Sequence, residues 1–321
     1  MATGILGTDC SQIIGNTGMS TCPYNIKNII GFMLVPTGTV VTPTQVSSWK
    51  STVDAGTANN SATARWFPIS KFEDVEEKGE DAIETKTGYG INKFVRSGKY
   101  GWRFMYSNGA MDLHSELSKF NGQQDRYDVF LMDGRNNCFI GTASGTSNVK
   151  GFSLDTLYAP NFKLNTGGAD TIYSIEIGLE DESEMNLNWR LITSPVEYPI
   201  ATTYVGLKPV RLEVVVAPGA AADTAEIRVW CGAANVWDTY SSQINATAVW
   251  SITIGSTTTA ATAVSIINAQ ATNKSFLITF GTAIASAGLE AVISFGTVTA
   301  LNSAAAGARL ANSSVNTVTI A

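Results

Sequence analysis

Apolar positions along most of this chain recur every second residue or in short β-branched runs, the spacing of strands. Asn28–Val41 (NIIGFMLVPTGTVV) is such a run, broken at Pro36-Thr37-Gly38, and predicts two strands around a turn. Residues 42–64 hold Ser, Thr, Asn and Gly without a sustained run, and predict a short helix near Thr44–Asp54 followed by a loop. Arg65–Ser70 (RWFPIS) reads as a short strand. Glu84–Val95 and Lys99–Tyr106 read as two strands joined through Arg96-Ser97-Gly98-Lys99, a Ser-Gly hairpin signal. In Thr171–Leu179, Ile172, Ser174, Glu176 and Gly178 alternate with the larger Tyr173, Ile175, Ile177 and Leu179. That alternation predicts one buried and one wet face.

A 3.6-residue period stands out over Ala110–Phe120 (AMDLHSELSKF), where Leu113, Leu117 and Phe120 fall on one face. Asn108-Gly109 precedes this helix and Gly122 follows it. Tyr127–Met132 and Asn137–Thr142 flank Asp133-Gly134-Arg135-Asn136, a second hairpin signal. Val149–Leu164 reads as a further strand, and Trp189–Ile192 with Pro195–Tyr204 reads as a connector. From Pro209 onward short strand runs recur between small-residue turns: Val210–Val216, Glu226–Trp230, Val249–Ile254, Ala263–Ile267, Phe276–Phe280, Leu289–Phe295 and Val315–Ile320. About seven short strands in little more than a hundred residues is the pattern of an Ig-like sandwich. No Cys…Trp…Cys spacing marks it as an antibody-type domain.

The expected fold class is therefore mainly β. An α+β first domain over residues 1–203, an antiparallel sandwich or barrel-forming sheet with one packed helix, is followed by an Ig-like β-sandwich over residues 204–321.

Charge sharpens that division. Residues 1–200 carry 16 Lys+Arg and 22 Asp+Glu, whereas residues 201–321 carry 5 of each. The second stretch repeats Ala, Thr, Ser, Val and Ile instead, as in residues 253–280. A catalytic cleft needs clustered ionisable groups, so the second half points to assembly and away from chemistry. The net charge of −6 argues against a nucleic acid gripped by a basic surface, though not against one passing by. MATGILGTDCSQIIG shows no basic stretch followed by an apolar one, so no secretory signal is expected. No run of about eighteen apolar residues occurs, and no membrane partner is expected. Cys10, Cys22, Cys138 and Cys231 form no CxxC pair; Cys10 and Cys22 would bridge only on adjacent strands, and reduced, structural thiols are expected.

Candidate chemistry is sparse. His114 is the single histidine and reads as surface or helix flank, so a catalytic triad or a zinc site built on it is not expected. Gly4, Gly7, Gly88 and Gly90 lack the strand–loop–helix context of a phosphate loop. The densest charge run holds Glu73, Asp74, Glu76, Glu77, Glu80, Asp81 and Glu84; a second holds Glu180, Asp181, Glu182 and Glu184. Neither has the alternating ligands and central glycine of an EF-hand loop. Their plain reading is a solvated hairpin and a soluble turn; the sharper one is a negative surface that repels a phosphate backbone. Paired carboxylates for glycoside hydrolysis depend on three-dimensional separation and stay open.

The order of elements resembles the tail tube proteins of tailed bacteriophages. The resemblance rests on Ile83–Tyr106 (IETKTGYGINKFVRSGKYGWRFMY), the helix Ala110–Phe120 and the strand pair around Asp133-Gly134, and covers roughly residues 25–200. It implies hexameric rings whose inner sheets join into a β-barrel, stacked through the long loop and the termini, with DNA sliding through an acidic lumen without tight binding. The two acidic runs would line the lumen or stack the rings, and the Ig-like domain would project outward. Other copies of the chain and other tail proteins are the partners implied, the virion the location, with synthesis in the bacterial host cytoplasm. No cofactor, metal or enzymatic activity is expected. The alternatives are another β-rich virion protein, such as a head-decoration or neck subunit, a carbohydrate-binding surface or adhesin protein, and a carbohydrate-active enzyme.

Overall fold

A computed structural model describes residues 5–6, 26, 28–70, 72–86, 88–90, 92–107, 110–162, 171–194, 199–216, 224–231, 234–268, 274–280, 290–297, 300–301, 310–312 and 316–319. Cys10, Cys22, Asn108-Gly109 and the ends of several expected strands lie outside them. The chain is mainly β, with sheets that are antiparallel except at one strand pair and that do not close into a barrel. It divides into two compact units, Met1–Thr57 with Thr63–Gly206, and Ala58–Ala62 with Leu207–Ala321.

In the first unit the strands are β1 (Ile5–Leu6), β2 (Ile29–Pro36), β3 (Val40–Val41), β4 (Phe67–Ile69), β5 (Asp74–Glu77), β6 (Ile83–Lys86), β7 (Asn92–Arg96), β8 (Gly101–Tyr106), β9 (Tyr127–Asp133), β10 (Cys138–Ser144), β11 (Asn148–Lys150), β12 (Phe152–Tyr158), β13 (Tyr173–Leu179) and β14 (Trp189–Thr193). The helices are α1 (Pro43–Ser47), α2 (Trp49–Thr57), α3 (Ala110–Ser118), α4 (Glu182–Asn186) and α5 (Ile200–Thr203). One layer runs β1-β14-β10-β9-β2-β4, with β11 and β3 continuing from β10. The other is β12-β13-β8-β5.

The first layer is buried on both faces, which explains the unbroken apolar runs of β2 and β9. Phe32, Leu34, Val129 and Leu131 face the second layer and meet Phe104, Tyr106, Ile175 and Ile177. Their neighbours Met33, Val35, Phe130 and Met132 face the other way, onto Val46, Trp49 and Val53 of α1 and α2. A capping box starts α1: the Thr42 hydroxyl accepts from the Gln45 amide and the Gln45 side chain accepts from the Thr42 amide, with Pro43 next in line. Helix α3 closes the second layer through Leu117 and the following Phe120.

Four expectations need correction. The described part of Val149–Leu164 (residues 163–164 lie outside it) holds two strands, β11 and β12, parted at Gly151, which lies so close to Asp128 that a Cβ would come within 2.8 Å of its side chain. After it, β12 pairs first with β9 at Phe152 and Ser153, then bulges and pairs with β13, so one strand ties the layers together. Trp189–Ile192 is no connector: β14 pairs with β10 along Cys138–Thr142, and beyond it Ile200 and Tyr204 fill the α2-side core. The Glu180–Glu184 segment is not a turn but leads into α4, capped by Asp181. Finally, Arg96–Lys99 is not the turn of a hairpin between two short strands, as described below.

The second unit contains β15 (Lys208–Val216), β16 (Thr224–Cys231), β17 (Ala234–Asn235), α6 (Trp237–Ile244), β18 (Trp250–Ile254), β19 (Thr257–Ala260), β20 (Ala263–Asn268), β21 (Lys274–Thr279), β22 (Glu290–Phe295), β23 (Leu310–Asn312) and β24 (Asn316–Thr319). One sheet is β20-β21-β16-β15-β23 with β17 on β16, and the other is β19-β18-β22-β24. In Ig letters these are D-E-B-A and C′-C-F-G, the immunoglobulin order. Both sheets feed one core, with Ile227, Val229, Phe276 and Ile278 facing Trp250, Ile252, Ile293 and Phe295. Trp250, at the start of strand C, packs on Phe276 and Phe295 at 5.8 and 4.7 Å between ring centres. Neither Cys231 nor Cys138 of the first unit is in a disulfide.

Candidate functional site

The segment from Asp74 to Tyr106 is one long ribbon. At its foot β5 pairs with β8, and β8 with β13. The ladder continues outward without a break: Lys78 donates to the Gly101 carbonyl at 2.8 Å, Glu80 to Lys99 at 2.9 Å, and Lys99 back to Glu80 at 3.0 Å. Beyond that bridge β6 pairs with β7, and the ribbon turns around Gly88–Gly90, with Gly90 at a φ of 76°. Ser97-Gly98 therefore lies inside a strand of the ribbon. A glycine is required there because the partner strand runs so close: a Cβ on Gly98 would stand 1.9 Å from the Glu80 carbonyl oxygen.

The outer half of the ribbon is a two-stranded sheet on its own, an arrangement only marginally stable in water. All of β6 is exposed, as are Lys93–Arg96 of β7. Ile83 is 42%, Val95 56%, Phe94 60% and Tyr89 95% exposed. Apolar side chains held in solvent on an unsupported ribbon mark a contact surface. Residues 83–96 carry Lys86, Lys93 and Arg96 against Glu84, so this half is basic. Arg96 reaches Glu80 at 3.0 Å, whereas Lys86 and Lys93 have no ion-pair partner among the described residues.

The ribbon leaves a four-stranded layer whose outer face is a charged row. Glu76, Arg103 and Glu176 sit side by side in register on β5, β8 and β13. The Arg103 guanidinium lies 2.5 Å from Glu176 and 3.6 Å from Glu76. Lys99 pairs with Asp155 at 2.5 Å, and that carboxylate holds the Lys99 ammonium above its ordinary value. Glu76, Glu176, Arg103, Lys99 and Asp155 are neutralised largely among themselves, so the face is not the uniformly negative wall expected of the acidic runs.

The structure separates the acidic residues singled out from sequence. Glu73 accepts from the Ser107 hydroxyl at 2.7 Å, and Asp74 accepts from the Val75 amide. Glu77 ends β5 exposed; Asp81 and Glu84 are exposed further out on the ribbon. Glu180 follows β13 at the end that pairs with Gly101, near the ribbon's foot. Asp181 receives the Ser183 amide and hydroxyl, which keep its carboxyl below the usual range, and Glu182 is half-buried in the first turn of α4. Glu184 is buried: it accepts from the Ser153 amide at 2.8 Å and pairs with Lys150 at 2.8 Å. It fastens α4 to the strand that crosses between layers. Arg103, Glu176, Phe94 and Tyr89 were not singled out from sequence; Phe94 and Tyr89 were legible only as strand and turn residues.

His114 is not on a flank. It is 8% exposed, within 3.1 Å of the Tyr106 hydroxyl, with the Phe162 and Tyr173 rings at 5.2 and 5.3 Å. Burial lowers its pKa from the ordinary 6.5. The unfolded chain therefore takes up this proton at higher pH than the folded one. Stability from neutral His114 is complete above about pH 6.5 and is lost as pH falls through the folded value. Urea midpoints are expected to drop between about pH 7.5 and about pH 5.5, and to drop less in His114→Gln. Equal drops in both proteins would place the acid sensitivity elsewhere.

Among the described residues no group of three or more His, Cys, Asp or Glu side chains is placed to hold a metal ion, and no helix is long and apolar enough to cross a membrane. No protein-family model, curated protein or solved structure matches this chain.

Proposed function

We propose that this chain is a structural assembly subunit of the tail-tube type, whose copies join into stacked rings around a channel for DNA in a bacteriophage virion. The observation that carries this reading is the ribbon from Asp74 to Tyr106, which ends in a two-stranded sheet with Ile83, Tyr89, Phe94 and Val95 in solvent. A hairpin of that kind gains its stability from a partner. The four-stranded layer behind it supports the same reading. Among the described residues strand β5 is an edge of that layer, and edges joined between copies close a sheet into a ring. In such a ring the row Glu76–Arg103–Glu176 faces the channel, a charged, hydrated wall with little net attraction for phosphate.

Negative-stain microscopy of the purified full chain at increasing concentration tests this. Stacked rings with an axial channel are expected. A chain that stays monomeric at every concentration overturns the reading, and hydrolysis or binding of glycans by that monomer would replace it.

A further inference from the structure

We propose that Asp128, Glu184 and Lys150 form a proton-binding clasp where β12 crosses between the layers, and that a proton taken up on Asp128 tightens the first unit as the medium turns acid. Asp128 is 3% and Glu184 8% exposed. Asp128 stands directly opposite Ser153, in the antiparallel pair of β9 with β12. Glu184 grips the same serine from α4, accepting from its amide at 2.8 Å and from its hydroxyl at 3.2 Å. Lys150 of β11 pairs with Glu184 at 2.8 Å and lies 3.4 Å from the Ser153 hydroxyl. The Asp128 carboxylate accepts from the Gly38 amide at 3.0 Å, in the turn between β2 and β3. Strands β9, β11 and β12, helix α4 and that turn therefore meet at one group of buried charges.

Those charges do not balance. Two buried carboxylates share one ammonium, and Lys150 gives its ion pair to Glu184. A buried carboxylate without a paired cation is costly, and a proton removes that cost. The surroundings of Asp128 offer no other cation. The turn at Gly38 brings no titratable group, β12 brings Asp155, which is paired with Lys99, and α4 brings Asp181 and Glu182 besides Glu184. Burial raises the Asp128 pKa above the ordinary 3.8; the Gly38 amide and Lys150 pull it down, and the Glu184 carboxylate pushes it up. The folded chain therefore holds this proton more tightly than the unfolded chain. Stability from protonated Asp128 is complete below about pH 3.8 and is lost as pH rises through the folded value. His114 has the opposite sign, since its protonation loosens the same unit. The first unit thus carries two buried proton sites that offset each other in acid.

Two full-chain variants test the clasp by urea unfolding of the first unit between about pH 4 and about pH 8. Asp128→Asn keeps the shape and the acceptor for Gly38 but carries no charge. It is expected to unfold several-fold less readily than the native chain at about pH 7.5, an advantage that fades towards about pH 4, where native Asp128 holds its proton. Lys150→Met removes the ammonium and leaves both carboxylates buried and unpaired. It is expected to unfold at least about tenfold more readily than the native chain at about pH 7.5, with the deficit shrinking towards about pH 4 as protons take the place of the cation. All three proteins keep His114, so its acid sensitivity cancels from these ratios. A clasp that only packs and hydrogen-bonds would shift stability by the same factor at every pH, and such pH-independent offsets overturn the proposal. If Lys150→Met does not fold, Asp128→Asn decides alone: an advantage confined to neutral pH upholds the proton site, and a constant offset of either sign removes it.

Discussion

Replacing Trp250 with alanine is expected to remove about 3–5 kcal/mol from the stability of the Ig-like unit, the range for deleting a buried tryptophan side chain. Trp250 is 1% exposed and stands where strand C enters the core. Its indole lies against Phe276 of one sheet and Phe295 of the other, so its loss leaves a cavity that neither sheet can close alone. The indole N–H also donates to the Ile244 carbonyl at 2.9 Å, at the end of α6, and the truncation leaves that buried acceptor without its donor. Small domains are stable by only about 5–15 kcal/mol, so this one change brings the unit close to unfolding. The first unit has its own two clusters of buried residues, neither of which includes Trp250. Differential scanning calorimetry of the full chain is expected to show one transition moved to much lower temperature and the other in place. A shift worth less than about 1 kcal/mol would mean that the aromatic cluster does not hold the two sheets together.

The sequence discloses elements whose stability is local or whose periodicity is clean. The alternation in Tyr173–Leu179 returns as a strand with every second residue buried, and Asp133-Gly134-Arg135-Asn136 returns as the turn between β9 and β10. In the second unit the seven apolar runs each fall on a strand, whereas β19, Thr-Thr-Thr-Ala, has no apolar pattern and is a strand through its pairing with β18. Elements defined by distant partners are not legible in this way. Trp189–Ile192 is a central strand because β10, some fifty residues earlier, supplies its ladder. His114 has a polar side chain on a short helix, and Tyr106, Phe162 and Tyr173, from other segments, pack against it.

The candidate site divides in the same way. Its carboxylates are plain in the sequence, and Lys78 beside Glu76 lies within the same run, but the pairing of Glu80 and Glu184 is decided by Arg96 and Lys150, outside the acidic runs. The exposed Phe94 and Val95 look like ordinary strand residues until the structure shows that, among the described residues, no layer covers β6 and β7.

Gly98→Ala is expected to abolish assembly while leaving both units folded. Ser97-Gly98 has the composition of a hairpin turn, yet in the ribbon Gly98 crosses directly over the opposite strand. An added Cβ would stand 1.9 Å from the Glu80 carbonyl oxygen, 2.9 Å from the Asp81 carbonyl carbon and 3.0 Å from the Ala82 nitrogen. All three are backbone atoms, so no side chain can rotate away and the strands themselves must separate. The two hydrogen bonds between Glu80 and Lys99 lie at that crossing, and they join the supported foot of the ribbon to its solvated outer half. Overpacking of this kind costs about 1–3 kcal/mol. Because the outer half has no layer behind it, the strain is relieved there, by local opening, and not in the core. Amide exchange at Glu80 and Lys99 is expected to quicken by about tenfold to a hundredfold, one factor of ten for each 1.4 kcal/mol, with calorimetric transitions unchanged. Rings and stacks are expected to be lost in the same sample, because the ribbon no longer presents Phe94, Val95 and Lys93 in a fixed register. Loosened amides with intact assembly would show that the ribbon is not the contact that joins one copy to the next.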